Sequence, residues 1–176
     1  GGRFGENREI LPLPVALYRQ VGDWQFRAVT ESAGLTEIRH YQHGVWTIDF
    51  DEDGFEDLLL TGWDGLQLFH NQGDGRWIDQ TAEAGLDDRL WSLAAGWGDL
   101  NRDQIPDLYV GHYVNWSFQN HPVCHNRVTM RPDVCDPNRF AGLPPTVYLA
   151  LGDGRQALMH LGKHLAEGGD IEARWV

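Results

Sequence analysis

Asp49-Phe50-Asp51-Glu52-Asp53-Gly54-Phe55-Glu56-Asp57, running straight into Leu58-Leu59-Leu60, is the stretch on which the reading of this chain turns. Fifty positions later Asp99-Leu100-Asn101-Arg102-Asp103-Gln104-Ile105-Pro106-Asp107 repeats it and enters Leu108-Tyr109-Val110. Both follow D-x-[DN]-x-D-x-x-x-D. Oxygen side chains at alternate positions of a tight loop can converge on one point. A hard cation taking six to eight oxygens at about 2.3–2.6 Å suits that arrangement, calcium better than the strongly hydrated magnesium. The expected ligands are Asp49, Asp51, Asp53 and Asp57 in one loop, and Asp99, Asn101, Asp103 and Asp107 in the other. The carbonyls of Phe55 and Ile105 complete each shell by analogy with position seven of a calcium loop. Asp, Asn and Gly also favour solvated turns without an ion. Two such loops, each followed by an apolar run, favour two Ca2+ sites.

An EF-hand opens in the same way but closes on a bidentate Glu at position twelve between helices. Position twelve here is Leu60 or Val110, and the flanks are short, β-prone and bounded by glycine. These are loops between strands. The first has more acidic side chains, while Arg102 stands in the second and Gln104 replaces the glycine. Gln104 is expected in a left-handed conformation that Gly54 adopts freely. The first site is therefore expected to fill before the second.

The periodicity extends beyond the loops. Leu17-Tyr18-Arg19-Gln20-Val21-Gly22-Asp23 lies over Leu68-Phe69-His70-Asn71-Gln72-Gly73-Asp74 at an offset of 51, and Ala33-Gly34-Leu35 over Ala84-Gly85-Leu86. A third turn follows at Leu151-Gly152-Asp153-Gly154. Each unit reads strand, acidic loop, strand, strand, Gly-Asp turn, strand. Four strands in about fifty residues fit a β-propeller blade.

On these residues the chain resembles the FG-GAP/VCBS repeat proteins, whose blades bind calcium in integrin-like propellers. More narrowly, Asn71 to Thr81, Ala84-Gly85-Leu86 and the inserted Cys135-Asp136-Pro137-Asn138-Arg139-Phe140-Ala141-Gly142-Leu143-Pro144 resemble the ASPIC/UnbV group, related to cartilage acidic protein. The resemblance implies an all-β chain of integrin-like blades over residues 15–156, with an N-terminal extension at 1–14. An insertion at 112–145 interrupts the blades. The tail at 157–176 is similar to the end of an ASPIC/UnbV domain. With 176 residues there is room for about two full blades and partial ones, fewer than the four to eight that close a propeller.

Composition narrows the function. Asp and Glu number 26 against 14 Lys and Arg, for a formal net charge of −12. That balance disfavours phosphate backbones, so nucleic acid is not an expected partner. No apolar run is long enough to span a bilayer. Cys124 and Cys135, both within the insertion, are expected to form a disulfide, which places the chain outside the cytoplasm. His121-Pro-Val-Cys124-His125 lacks the first cysteine of a haem attachment motif. His160 and His164 lack the acid of a zinc-protease helix, and read as surface histidines. Trp46, Trp91 and Trp97 are expected to fill the wedge between blades. No catalytic motif is recognisable. The expectation is a structural or interaction module, secreted or periplasmic, docked on a protein partner or larger complex. A carbohydrate-binding or carbohydrate-active propeller is the alternative.

Overall fold

The computed structural model describes residues 1–6, 9–133 and 135–152, and the backbone of 156–159. Among these residues the fold is all strand and turn, with one short 3-10 turn at Pro137–Arg139 and no α-helix. One antiparallel sheet is built from β5 (Tyr41–Ile48), β6 (Asp57–Trp63), β7 (Gly65–Asn71) and β8 (Trp77–Asp79), in that order. A second runs β9 (Ser92–Gly98), β10 (Asp107–His112), β11 (Thr146–Ala150) and β12 (Gln156–Met159). Before them come two hairpins, β1 (Gly2–Phe4) with β2 (Ile10–Pro12) and β3 (Tyr18–Gly22) with β4 (Gln25–Ala28). Two four-stranded blades and a two-stranded part of a third make the incomplete propeller that the repeats imply. Residues 157–159, placed in the tail by sequence, run in β12 beside β11. The rest of that tail, with His160 and His164, lies outside the described residues.

The repeat holds at the level of single hydrogen bonds. Val29 N donates to the Leu17 carbonyl as Gln80 N does to Leu68, and Leu35 N donates to Thr30 as Leu86 N does to Thr81. The hydroxyls of Thr30 and Thr81 accept from Leu17 N and Leu68 N at 2.8 and 2.9 Å. Each Ala-Gly-Leu therefore makes the same turn after an outer strand, its Ala and Leu buried and its glycine left-handed. A side chain on Gly34 would strike the Trp77 carbonyl of the next blade, so this turn is also where blades meet.

Burial follows the same logic. Phe50, Leu59, Leu66, Leu68, Ala84, Leu86, Ala95, Leu108, Val110 and Tyr148 form one core between the two four-stranded sheets, flanked by Trp46, Ile48 and Trp97. A smaller core of Ala33, Leu35, Leu60 and Phe69 joins the third, partial blade. Trp46 and Trp97 thus pack where large aromatics were expected. Trp91 does not. It lies just before β9 and meets Trp63, Tyr113, Trp116 and His43 at ring-centroid distances of 5.1–5.8 Å. Trp116 continues the chain of rings to Phe118 and His121 inside the insertion. The insertion is tied by Cys124–Cys135, a formed disulfide with Cα atoms 5.3 Å apart.

Candidate metal centre

The two acidic loops join β5 to β6 and β9 to β10, at one end of each blade. Both turn through left-handed residues at their fourth and sixth positions: Glu52 (φ 61°) and Gly54 (φ 91°), Arg102 (φ 70°) and Gln104 (φ 73°). Gln104 therefore takes the conformation expected of a glycine. The matching strain at Glu52 and Arg102 has no signal in the sequence, because neither residue type favours it. These turns direct amides at carboxylates. Gly54 N donates to Asp49 Oδ2 at 2.9 Å and Gln104 N to Asp99 Oδ2 at 3.0 Å. Phe55 N donates to Asp53 Oδ1 at 2.8 Å and Ile105 N to Asp103 Oδ1 at 2.9 Å. The seventh side chain of each loop lies over a glycine of the later turn, Phe55 on Gly73 and Ile105 on Gly152.

The ninth residue behaves differently from the others. Asp57 and Asp107 are fully buried. Asp57 accepts Phe50 N at 3.1 Å and, on its other oxygen, Asn71 N at 2.7 Å. Asp107 accepts Leu100 N at 2.8 Å and Ala150 N at 2.9 Å. Each clamps its own loop to the end of the third strand of its blade. Burial pushes the Asp57 carboxyl above its ordinary pKa, although the Asn71 and Phe50 amides and His70 pull the other way. A nearby cation would favour its charged form further.

In the first loop one oxygen each from Asp49, Asp51 and Asp57 lie within 4.8 Å of one another. Opposite ligands of an ion with bonds of 2.3–2.6 Å stand roughly 4.6–5.2 Å apart, so these three oxygens can share a cation. Asp49 Oδ1 is buried with no hydrogen-bond partner. An orphaned carboxylate oxygen inside a ring of carboxylates is a poor arrangement without a positive charge. Asp53 belongs to an overlapping group with Asp51 and His70. His70, near the end of β7, was not singled out from the sequence. Its Nδ1 lies 3.1 Å from Asp57 Oδ1 and 3.4 Å from Asp51 Oδ2. Sequence could not have placed it there, since it reaches the loop only through the β6–β7 pairing.

The second loop repeats the fold of the first without the orphaned oxygen. Asp99 Oδ1 accepts both Arg102 N at 2.6 Å and Asp103 N at 3.1 Å. Asn101 Nδ2 donates to Asp103 Oδ2 at 2.8 Å. The oxygens of Asp99 and Asp103 thus already accept N–H groups of the loop, and a cation there would share them rather than meet a free oxygen.

Residues 49–110, from the first acidic loop through most of β10, match the FG-GAP-like repeat family. No curated protein matches the chain. The matched stretch spans both acidic loops and is similar to an FG-GAP-like repeat, in keeping with β-propeller-like blades.

Proposed function

We propose that this chain is a calcium-binding segment of a β-propeller that serves outside the cytoplasm as a structural or protein-interaction module, docked on a larger assembly. The orphaned, buried Asp49 Oδ1 among the Asp51 and Asp57 oxygens carries the metal reading. Asp49, Asp51, Asp53 and Asp57 with the Phe55 carbonyl would hold the first ion. Asp99, Asn101, Asp103 and Asp107 with the Ile105 carbonyl would hold the second. The ion supplies charge neutralisation, and its binding free energy adds to folding because the unfolded chain has no site. Docking is supported by the insertion, which displays Val123, Val128 and Met130 to solvent. The Cys135–Pro144 stretch of that insertion, together with the acidic loops and the Asn71–Thr81 stretch, carries the resemblance to the ASPIC/UnbV group. The disulfide favours an oxidising compartment, and no described helix is long and apolar enough to cross a membrane.

Melting in calcium against chelator tests the metal reading. Calcium at a hundredfold excess over Kd should stabilise the fold by about 2.7 kcal/mol. A melting temperature unmoved by about 10 mM calcium, above the weakest affinities of extracellular modules, would refute it.

One observation favours the carbohydrate reading as a second. Trp63, Trp91 and Trp116 line a cavity of about 90 Å³ together with Asp64, Arg89 and Asn115. Aromatic walls beside a carboxylate, a guanidinium and an amide have the chemistry of a sugar subsite, in a space well below the roughly 300 Å³ of an ordinary ligand pocket. Screening on a glycan array would support it, with binding lost in Trp116→Ala. Recovery of a cross-linked protein through the insertion would favour the interaction module.

A further inference from the structure

At the root of the insertion His112 ends β10, just where the β9–β10 register slips between Gly111 and His112. Its Nδ1 lies 2.6 Å from the Pro144 carbonyl and its Nε2 2.6 Å from Asp88 Oδ2. The His112 side chain is 0% exposed and that of Asp88 2%. A carbonyl oxygen and an ionised carboxylate can only accept hydrogen bonds, so both ring nitrogens must carry protons. The geometry therefore describes a buried imidazolium between two acceptors. Asp88 also accepts Leu90 N at 2.7 Å and the Ser92 hydroxyl at 3.2 Å. Because that hydroxyl bonds the carboxylate and not the imidazole, the three residues are no nucleophile–base relay.

The contact joins three separate pieces of chain. Asp88 belongs to the loop before β9, His112 opens the insertion, and Pro144 closes it. Just beyond, Tyr113 N bonds the Trp91 carbonyl at 2.9 Å, Leu143 N the Tyr113 carbonyl at 3.2 Å, and Asn115 N the Ala141 carbonyl at 2.8 Å. These bonds zip the base of the insertion against the blade.

We propose that Asp88, His112 and Pro144 form a proton-operated latch, closed while His112 is charged, that frees the base of the 112–145 insertion when the proton leaves. The groups facing it set the sign. The loop contributes Asp88 with Asp87 and Arg89 as its neighbours, β9 contributes the Ser92 hydroxyl, and β11 contributes Tyr148. Burial, with Asp88 and Asp87 nearby, pushes Tyr148 far above its ordinary pKa, so it stays protonated. Burial alone would lower the pKa of His112, but the Asp88 and Pro144 acceptors outweigh it and hold the ring above its usual value. For Asp88, burial acts upward and is outweighed by His112, the Leu90 amide and Ser92, leaving its pKa lowered. The latch is complete between those two values. It weakens in acid as Asp88 protonates, and in alkali as His112 loses its charge.

Nitrogen-edited NMR of the imidazoles, paired with hydrogen exchange of the native chain over the same pH range, tests this. His112 should carry two protonated nitrogens at pH 7 and titrate above 6.5, the ordinary value. Protection of the Tyr113, Asn115 and Leu143 amides, corrected for intrinsic base catalysis, should fall through that midpoint. The fall should be about tenfold for each unit by which the midpoint exceeds that of the open form. Amides of β6 and β7 should hold steady. Asp88→Asn should reverse the direction, since an amide can donate to an unprotonated Nε2 and burial then favours the neutral ring. His112→Gln should abolish the dependence; if that variant does not fold, the wild-type titration and Asp88→Asn still decide. A neutral His112 at pH 7, protection indifferent to its titration, or an Asp88→Asn variant with the wild-type direction would each overturn the latch.

Discussion

Asp107→Ala should destabilise the chain far more than Asp103→Ala, in the complete absence of metal. Asp107 is fully buried and takes the amides of Leu100 and Ala150 on its two oxygens. Hydrogen bonds to a charged group contribute about 1.5–3 kcal/mol each, and removing the acceptor leaves two N–H groups to be resolvated. Allowing for partial relaxation, the loss should be about 3–5 kcal/mol. Asp103 is exposed and accepts the Ile105 amide and the Asn101 side-chain amide, both open to water. Its loss should stay within about 1 kcal/mol, the range of an ordinary exposed hydrogen bond. Urea unfolding in chelator, followed by tryptophan fluorescence and circular dichroism, measures both at an unchanged m-value. Asp107→Asn should fall between them, because its NH2 must face one of the two donors. If Asp107→Ala came within about 1 kcal/mol of Asp103→Ala, the clamp would be wrong and the ninth position would matter only as a ligand.

Further outcomes can be checked in the same protein. In calorimetry, Asp103→Ala should retain the tighter calcium site and Asp53→Ala the weaker, since only the first loop has a free inward oxygen; the opposite order would defeat that ranking. Titration of the unfolded, unreduced chain should find no reactive thiol, because Cys124 and Cys135 are joined. Trp24→Gly should stabilise by about 0.5 kcal/mol, as a left-handed cost of about 1–2 kcal/mol outweighs the added freedom of glycine in the unfolded chain. Trp24 sits at φ 55° and is 89% exposed, where its repeat counterpart is Gly75 at φ 90°. A lower midpoint in urea for this variant would mean that the indole makes contacts worth more than the strain.

The blades were legible because their signals are local. An Asp-rich loop followed by leucines, a Gly-Asp turn and Ala-Gly-Leu each fix a few residues of backbone; the loop recurs at an offset of 50, and the turn and Ala-Gly-Leu at 51. What sequence could not separate was the division of labour within the acidic motif. Nothing in the letter D distinguishes Asp57 and Asp107, which bury both oxygens on amides, from Asp51 and Asp53, which stay at the surface. Contacts set by sheet register were equally hidden. His70 meets its loop across β6–β7, and Asp88 meets His112 only after a slip in β9–β10. Trp91 looked like core because its neighbours in sequence are strand, yet it lies one residue outside β9 and joins the rings at the end of the blade.

The β10–β11 junction has a bearing on how such a chain can acquire new parts. In the first blade β6 returns as β7 through a tight turn at Asp64, pairing Leu58 with Phe69 and Leu60 with Gln67. In the second, Leu108 pairs with Tyr148 and Val110 with Thr146, the same register, although a long excursion separates the strands. Lengthening the connection from the two residues between Gly62 and Gly65 to the 35 between Val110 and Thr146 spans about four doublings, roughly 2.4 kcal/mol of closure entropy. One short disulfide loop can return about 3 kcal/mol. A folded cargo with its own cross-link can thus be spliced into this corner of a blade without disturbing the sheet beneath it. The matching corner at Asp64 has no such room, since Gly65 abuts the Asp88 carbonyl and Trp63 packs on Trp91 and Trp116.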